Sequence, residues 1–181
     1  LPGASDPLFA WSHMPRRKYN PARRLARRPR SQLRLSRSVK LKVRLETQWF
    51  TSSMRVLLDT FPFVWLASEP TKLNSVATEV LSEKTNEFFL SDASVLELCL
   101  KYNDGSLEMP QAPREWVEKQ RDLWRVKALP LRREACYRLS ELPYHHDDAI
   151  DRLLVATALA EGLSILTSDE EIRKYPVTTI W

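Results

Sequence analysis

From position 54 onward, short apolar runs alternate with stretches in which apolar residues recur every three or four positions. The runs at 55–59, 87–91, 126–129, 163–167 and 178–181 predict strands, the last of them at a sheet edge. Helical spacing predicts helices over 61–67, 75–83, 93–102, 113–123 and 132–142, a long one opening near 148, and a short one over 169–175. Thr60 is the expected N-cap of the first, with Pro62 tolerated in its opening turn. The expected inward faces are Val76, Val80 and Leu81 in the second helix, and Trp116, Val117 and Leu123 in the fourth. Asn103-Asp104-Gly105 ends the third helix, and Gly162 supplies a left-handed stop before the fourth strand. Strands alternating with helices of this length predict a parallel sheet covered on both faces.

The stretch Asp147-Asp-Ala-Ile-Asp-Arg-Leu-Leu-Val-Ala-Thr-Ala158 opens the long helix. Ile150, Leu153, Leu154 and Ala158 form its apolar stripe, and Asp148 and Asp151 stand at its start. Carboxylates there are stabilised by free backbone N–H groups and the helix dipole, so a capping box accounts for both. Three further acids change the picture, because ligands of parallel sheets collect beyond the carboxyl ends of the strands. Asp59 ends the first strand, and Asp169 lies two residues past the fourth. Asp151 reaches the same edge if its helix runs antiparallel to the strands. Glu97 sits between Leu96 and Leu98, in a helix whose Val95, Cys99 and Leu100 are also apolar. Each acid has an ordinary explanation as a strand-end turn, a cap or an exposed helical residue. Together those explanations require four coincidences at one edge.

Four carboxylates brought together repel, a pair at about 4 Å costing about 4 kcal/mol at an effective dielectric of 20. A hard divalent cation bound by carboxylate oxygens and water removes that cost, and Mg²⁺ in particular takes few protein ligands. Such a centre suits in-line attack of water on a phosphodiester. A His–Ser–Asp centre has less support: His145-His146 has no placeable nucleophile and reads as a loop that could steer substrate. A phospho-receiver domain is excluded, because no second acid follows Val56-Leu-Leu-Asp59 and no mid-chain strand ends in an acceptor aspartate.

Charge divides the 181-residue chain. The net charge is +5, but residues 1–53 hold 13 of the 28 Lys and Arg against only Asp6 and Glu46, a local net of +11. Residues 54–181 therefore carry 15 basic and 21 acidic side chains, a net of −6. The first segment is Arg- and Pro-rich, with one alternating run at 39–45 that could form a strand. Such a segment could grip phosphates. It is expected instead to be a disordered tail, or upstream sequence translated from a misassigned start. The two cysteines, Cys99 and Cys136, lie in apolar helical patterns and are expected as buried free thiols of a cytosolic protein. No apolar run approaches the ~18–20 residues of a membrane span, and no signal peptide shows.

Four segments carry a family resemblance: Val56-Leu-Leu-Asp59-Thr60-Phe-Pro-Phe-Val-Trp65-Leu66, Ser94-Val-Leu-Glu97-Leu-Cys-Leu-Lys101, Leu142-Pro-Tyr-His145-His-Asp-Asp148-Ala-Ile-Asp151-Arg152-Leu-Leu-Val-Ala156 and Leu166-Thr167-Ser-Asp169-Glu170. In this order and spacing, the chain from Met54 to Trp181 resembles PIN-domain proteins, above all VapC-type toxins of toxin–antitoxin pairs. The resemblance implies a PIN-like three-layer α/β/α sandwich with a mainly parallel central sheet. It also implies Mg²⁺- or Mn²⁺-dependent RNA endonuclease activity and neutralisation by a small antitoxin. The family's acidic positions fall on Asp59, Glu97, Asp151 and Asp169, and Asp148 matches a further acid. Thr60 and Thr167 match its small polar neighbours. Phe61 stands where relatives often have His, and Ala149-Ile150 replaces Pro-Phe; neither change removes an acid. Residues 1–53 match nothing in the family.

The expectation is a cytoplasmic metal-dependent ribonuclease of toxin type, its domain at 54–181. Asp59, Glu97, Asp151 and Asp169 would be its catalytic metal ligands, joined by Asp148. A non-catalytic PIN-like module that binds RNA or protein is the alternative. Phe63, Trp65 and Leu66 cannot all face inward on so short a helix. The remainder is expected as an exposed patch for homodimerisation or for an antitoxin helix.

Overall fold

Val56, Leu57 and Leu58 have no exposed surface, which places β1 (Arg55–Leu58) inside a sheet covered on both faces. The computed structural model of the protein describes residues 53–181. The basic segment and its expected strand at 39–45 lie outside the described residues. β2 (Glu87–Ser91), β3 (Val126–Leu129), β4 (Ser164–Leu166) and β5 (Thr179–Ile180) join β1 in the order β3-β2-β1-β4-β5. Every pairing is parallel, with Leu58 opposite both Leu90 and Leu166.

Alternation along the strands builds two cores. Val56, Leu58, Phe88 and Leu90 pack into one, with Phe63, Leu66, Ala77, Trp116 and Val117 from α1 (Thr60–Ser68), α2 (Ser75–Ser82) and α4 (Pro113–Trp124). Leu57, Phe89 and Ile165 pack into the other, with Leu154, Val155 and Ala158 of α6 (Ala149–Glu161). α5 (Arg133–Glu141) buries Ala135, and α3 (Asp92–Asn103) gives Leu98 to the first core and Ala93 to the second. The architecture is therefore a three-layer α/β/α sandwich with a wholly parallel sheet. β1, β2 and β3 step outward in order, and β4 then returns to the far side of β1. That reversal leaves a crevice beyond the carboxyl ends of β1 and β4, the place where such sheets bind ligands.

Several helix details differ from expectation. Asp59, not Thr60, caps α1, its Oδ1 accepting the Thr60 N–H at 2.6 Å. A carboxylate accepts that bond from outside the helix, so Thr60 becomes the first helical residue and is fully buried. The inward face of α2 is Ala77, Val80 and Leu81, leaving Val76 exposed. In α4, Trp124 rather than Leu123 shares a face with Val117, seven residues before it. Both cysteines are exposed free thiols, because Cys99 and Cys136 sit one position beyond the buried Leu98 and Ala135. On α1, Phe63 and Leu66 are buried, Trp65 is half-buried against Trp181, and Phe61 is 40% exposed. The expected short helix at 169–175 shrinks to a single 3₁₀ turn, Ile172–Lys174.

Gly162 has φ 64° and closes α6 as a left-handed cap. Arg125 does the same for α4 with φ 56°, although its side chain pays a steric penalty there and is exposed. Arg125→Gly should therefore raise stability by about 1 kcal/mol. Urea unfolding should show a higher midpoint at unchanged m-value.

Candidate functional site

Asp59 leaves β1 at the crevice. Its backbone N–H donates to the Leu166 carbonyl at 3.1 Å, which ties the end of β1 to β4. The carboxylate is only 6% exposed, yet both of its oxygens are engaged. Oδ1 caps α1, and Oδ2 accepts the Thr167 hydroxyl at 2.6 Å. Thr167 Oγ1 also accepts the Asp169 N–H at 3.0 Å, and Asp169 Oδ1 accepts the Glu171 N–H at 2.6 Å. One threonine thus links the acid after β1 to the acid after β4.

Asp148 and Asp151 come from the start of α6. Asp148 is the cap, accepting from the Ile150 and Asp151 N–H groups at 2.9 and 3.3 Å. Asp151 does not complete a capping box; among the described residues, its carboxylate accepts no hydrogen bond. Glu97 arrives from α3. Its side chain is 13% exposed, whereas the neighbouring Leu96 is half exposed, so the helix turns an acid inward and a leucine outward. Glu97 Oε1 meets Lys101 Nζ at 3.4 Å, one turn along.

All five acids line one cavity of about 460 Å³, together with Glu170. Ser168, Lys101, Phe61 and Trp65 complete its wall. The five acids expected at the site are therefore neighbours around one cavity. Lys101, Phe61, Trp65, Ser168 and Glu170 were not anticipated, although the i,i+4 spacing of Glu97 and Lys101 already put those two on one face. His145 and His146 are absent from the wall and pack edge-on against Tyr175, at 4.8 and 5.6 Å between ring centroids.

Crowding shows in the acidities. Burial, opposed by the Thr167 and Thr60 hydrogen bonds and assisted by Glu97 and Asp169, raises Asp59 to about 6. Burial followed by the charges of Asp148, Asp59, Asp169 and Glu97 raises Asp151 to about 8. Among the described residues, no three His, Cys, Asp or Glu side chains are grouped tightly enough to hold a metal ion as they stand. The acids ring the cavity instead of meeting at one point. A donor set made only of carboxylates, two of them resisting ionisation, still fits a hard divalent cation that keeps part of its water shell. The Thr60 and Ser94 hydroxyl oxygens are buried without a partner among the described residues.

The match of residues 56–177 to the PIN-domain model decides the family. The chain belongs to the PIN-domain family. It is 25% identical over 131 residues to ribonuclease VapC22 of Mycobacterium tuberculosis, spanning 70% of this chain and 98% of that protein. Among solved structures it is similar to VapBC2 from Rickettsia felis, bound there to a promoter DNA fragment. The TM-score is 0.51 at 17% identity, over 70% of this chain and 97% of that one. FitAcB from Neisseria gonorrhoeae gives a TM-score of 0.47 at 20% identity, over 68% and 95% of the two chains. This PIN domain is thus a distant homologue of the VapC ribonuclease toxins.

Raised acid pKa values set the sign of a pH effect. Both groups bind protons more tightly in the folded than in the unfolded chain. The contribution of these two carboxyls to metal-free stability should therefore fall as pH rises from about 4 to about 8, and level off above. Asp59, moved from 3.8 to about 6, accounts for on the order of 3 kcal/mol of that loss. Asp59→Asn should flatten the metal-free melting-temperature profile between pH 4 and 6 and leave the value at pH 7 equal or higher. A variant that melts well below the parent at pH 7 would show that the hydrogen bonds to Thr60 and Thr167 outweigh the cost of burying the charge.

Proposed function

We propose that this PIN domain is a divalent-metal-dependent endoribonuclease that hydrolyses RNA phosphodiester bonds, and that it is the toxin of a toxin–antitoxin pair. The carrying observation is the convergence of Asp59, Glu97, Asp148, Asp151 and Asp169, from four separate segments, on one cavity of a PIN domain. We assign the activity to residues 54–181 and place Mg²⁺ or Mn²⁺ among those acids. Bound there, the cation would supply charge neutralisation and a more acidic water for in-line attack.

The chain's own residues prepare that step. Thr167 holds Asp59 in one orientation and the turn of Asp169 in register with it. Asp151 carries a proton more readily than any ordinary aspartate, so it can exchange one with solvent as the site loads. The similarity to VapC22, a ribonuclease, supports RNA as substrate. Likeness of fold to the toxin–antitoxin complex VapBC2 supports an antitoxin partner. Leu96, Cys99 and Leu100 are exposed on the outer face of α3 and offer an apolar surface to that partner or to a second copy in a homodimer. None of the described helices is long and apolar enough to cross a membrane, which is compatible with a cytoplasmic site of action.

Asp151→Asn and Glu97→Gln test the assignment. Each should lower metal-dependent RNA cleavage by roughly a hundredfold or more while leaving the fold intact. Each should also reduce the rise in melting temperature that Mg²⁺ or Mn²⁺ gives the parent, since a cation bound only by the native state stabilises it by mass action. Normal cleavage in both variants would end the assignment of the activity to these acids. Retained RNA binding by a parent that never cleaves, with or without metal, would favour a non-catalytic binding module.

A further inference from the structure

Two cavity residues serve none of the acids' structural duties. Phe61 opens α1 just after the Asp59 cap and is 40% exposed, while Phe63 two residues on is fully buried. Its ring has an aromatic neighbour: Trp65 lies 6.1 Å away at an interplanar angle of 33°, and Trp65 in turn meets Trp181 at 5.8 Å. Lys101 Nζ stands 5.5 Å from the centre of the Phe61 ring and 3.4 Å from Glu97 Oε1. An open aromatic ring and an ammonium group are thus neighbours on the wall of a cavity otherwise lined by acids.

We infer that Phe61 and Lys101 form a nucleotide subsite, in which the base beside the scissile phosphate stacks on the Phe61 ring and that nucleotide's phosphate takes the Lys101 ammonium. This rests on the ribonuclease reading and names how the substrate is gripped. A nucleotide offers both complements within one residue, a flat π face and an anion, and every base has such a face. An apolar peptide side chain would satisfy the ring but strip water from Lys101 without replacing it. A phosphate moving onto Lys101 also frees the ring face that the ammonium now covers. Stacking needs an unpaired base, so the subsite selects RNA whose base is free of a duplex partner.

The test is binding of RNA hexamers in Mg²⁺ by the full chain carrying Asp151→Asn, in which the RNA is expected to stay uncut. An adenosine hexamer is compared with a fully abasic hexamer of the same backbone. Adding Phe61→Ala should weaken binding of the adenosine hexamer roughly tenfold and leave the abasic one unchanged, and Phe61→Trp should restore the difference. Lys101→Met should weaken both oligomers and lower the slope of log affinity against log salt by about one, which Phe61→Ala should not do. Equal affinity of Phe61→Ala and its parent for the adenosine hexamer would overturn the subsite. So would an equal loss for both oligomers, which would make the ring a structural support. Unchanged RNA binding with loss of self-association in sedimentation would reassign the ring to a protein interface. With Asp151 intact, a parent that cleaves RNA while Phe61→Ala binds as before removes the subsite alone. A parent that neither binds nor cleaves removes the subsite and the ribonuclease reading together.

Discussion

Burial of Asp59 is the constraint from which the rest of the site follows. β1 is enclosed by β2 and β4 and covered on both faces, so the residue after Leu58 emerges where water is scarce. A carboxylate in such a position must be hydrogen-bonded or lose its charge. Here both oxygens are engaged, by the first N–H of α1 and by the Thr167 hydroxyl, and the group still titrates near 6. The Thr167 bond comes from beyond the neighbouring strand β4, so the register of β1 against β4 positions Asp59 and Asp169 at once. The reversal of strand order at β1 opens the space into which both project, and α6 brings Asp148 and Asp151 to the same space from the opposite layer.

The inner strands were legible because a strand buried on both faces must be an almost unbroken apolar run, and few such runs occur after position 54. The carboxyl-edge acids were legible for a related reason, since strand ends locate the edge. Helix faces were read less well. Val76, Leu96, Leu100 and Leu123 are apolar yet exposed, and Glu97 is acidic yet largely covered. Spacing tells which residues share a face, but the direction of that face depends on where the sheet lies. The Trp65–Trp181 contact was beyond reach for a different reason, because Trp181 is brought in by β5 from the far end of the chain.

Electrostatics set a second problem that the fold leaves open by design. Residues 54–181 have a net charge of −6, and several of their acids ring one cavity. RNA is a polyanion, so an acidic domain must bring cations to it. Lys101 alone cannot do so, being half committed to Glu97. On the proposed reading, divalent cations held by the same carboxylates would relieve both repulsions, that among the acids and that between acids and phosphate. Such a centre would link metal loading to substrate binding without any conformational device.

The five acids are not equivalent, and the difference decides what each can reveal. Asp59 caps α1, Asp148 caps α6, and Asp169 holds the turn through the Glu171 N–H. Loss of any of these mixes a structural effect with a chemical one. Glu97 is paired with Lys101, so its removal also frees a cation. Asp151 has no such duty among the described residues, and its acidity is moved furthest, by burial and by all four of the other carboxylates. A fold selected only for stability would gain from a neutral residue there, since every interaction that moves its pKa opposes its charge. An aspartate with no structural employment, set among four other carboxylates, is what the proposed cation site would require.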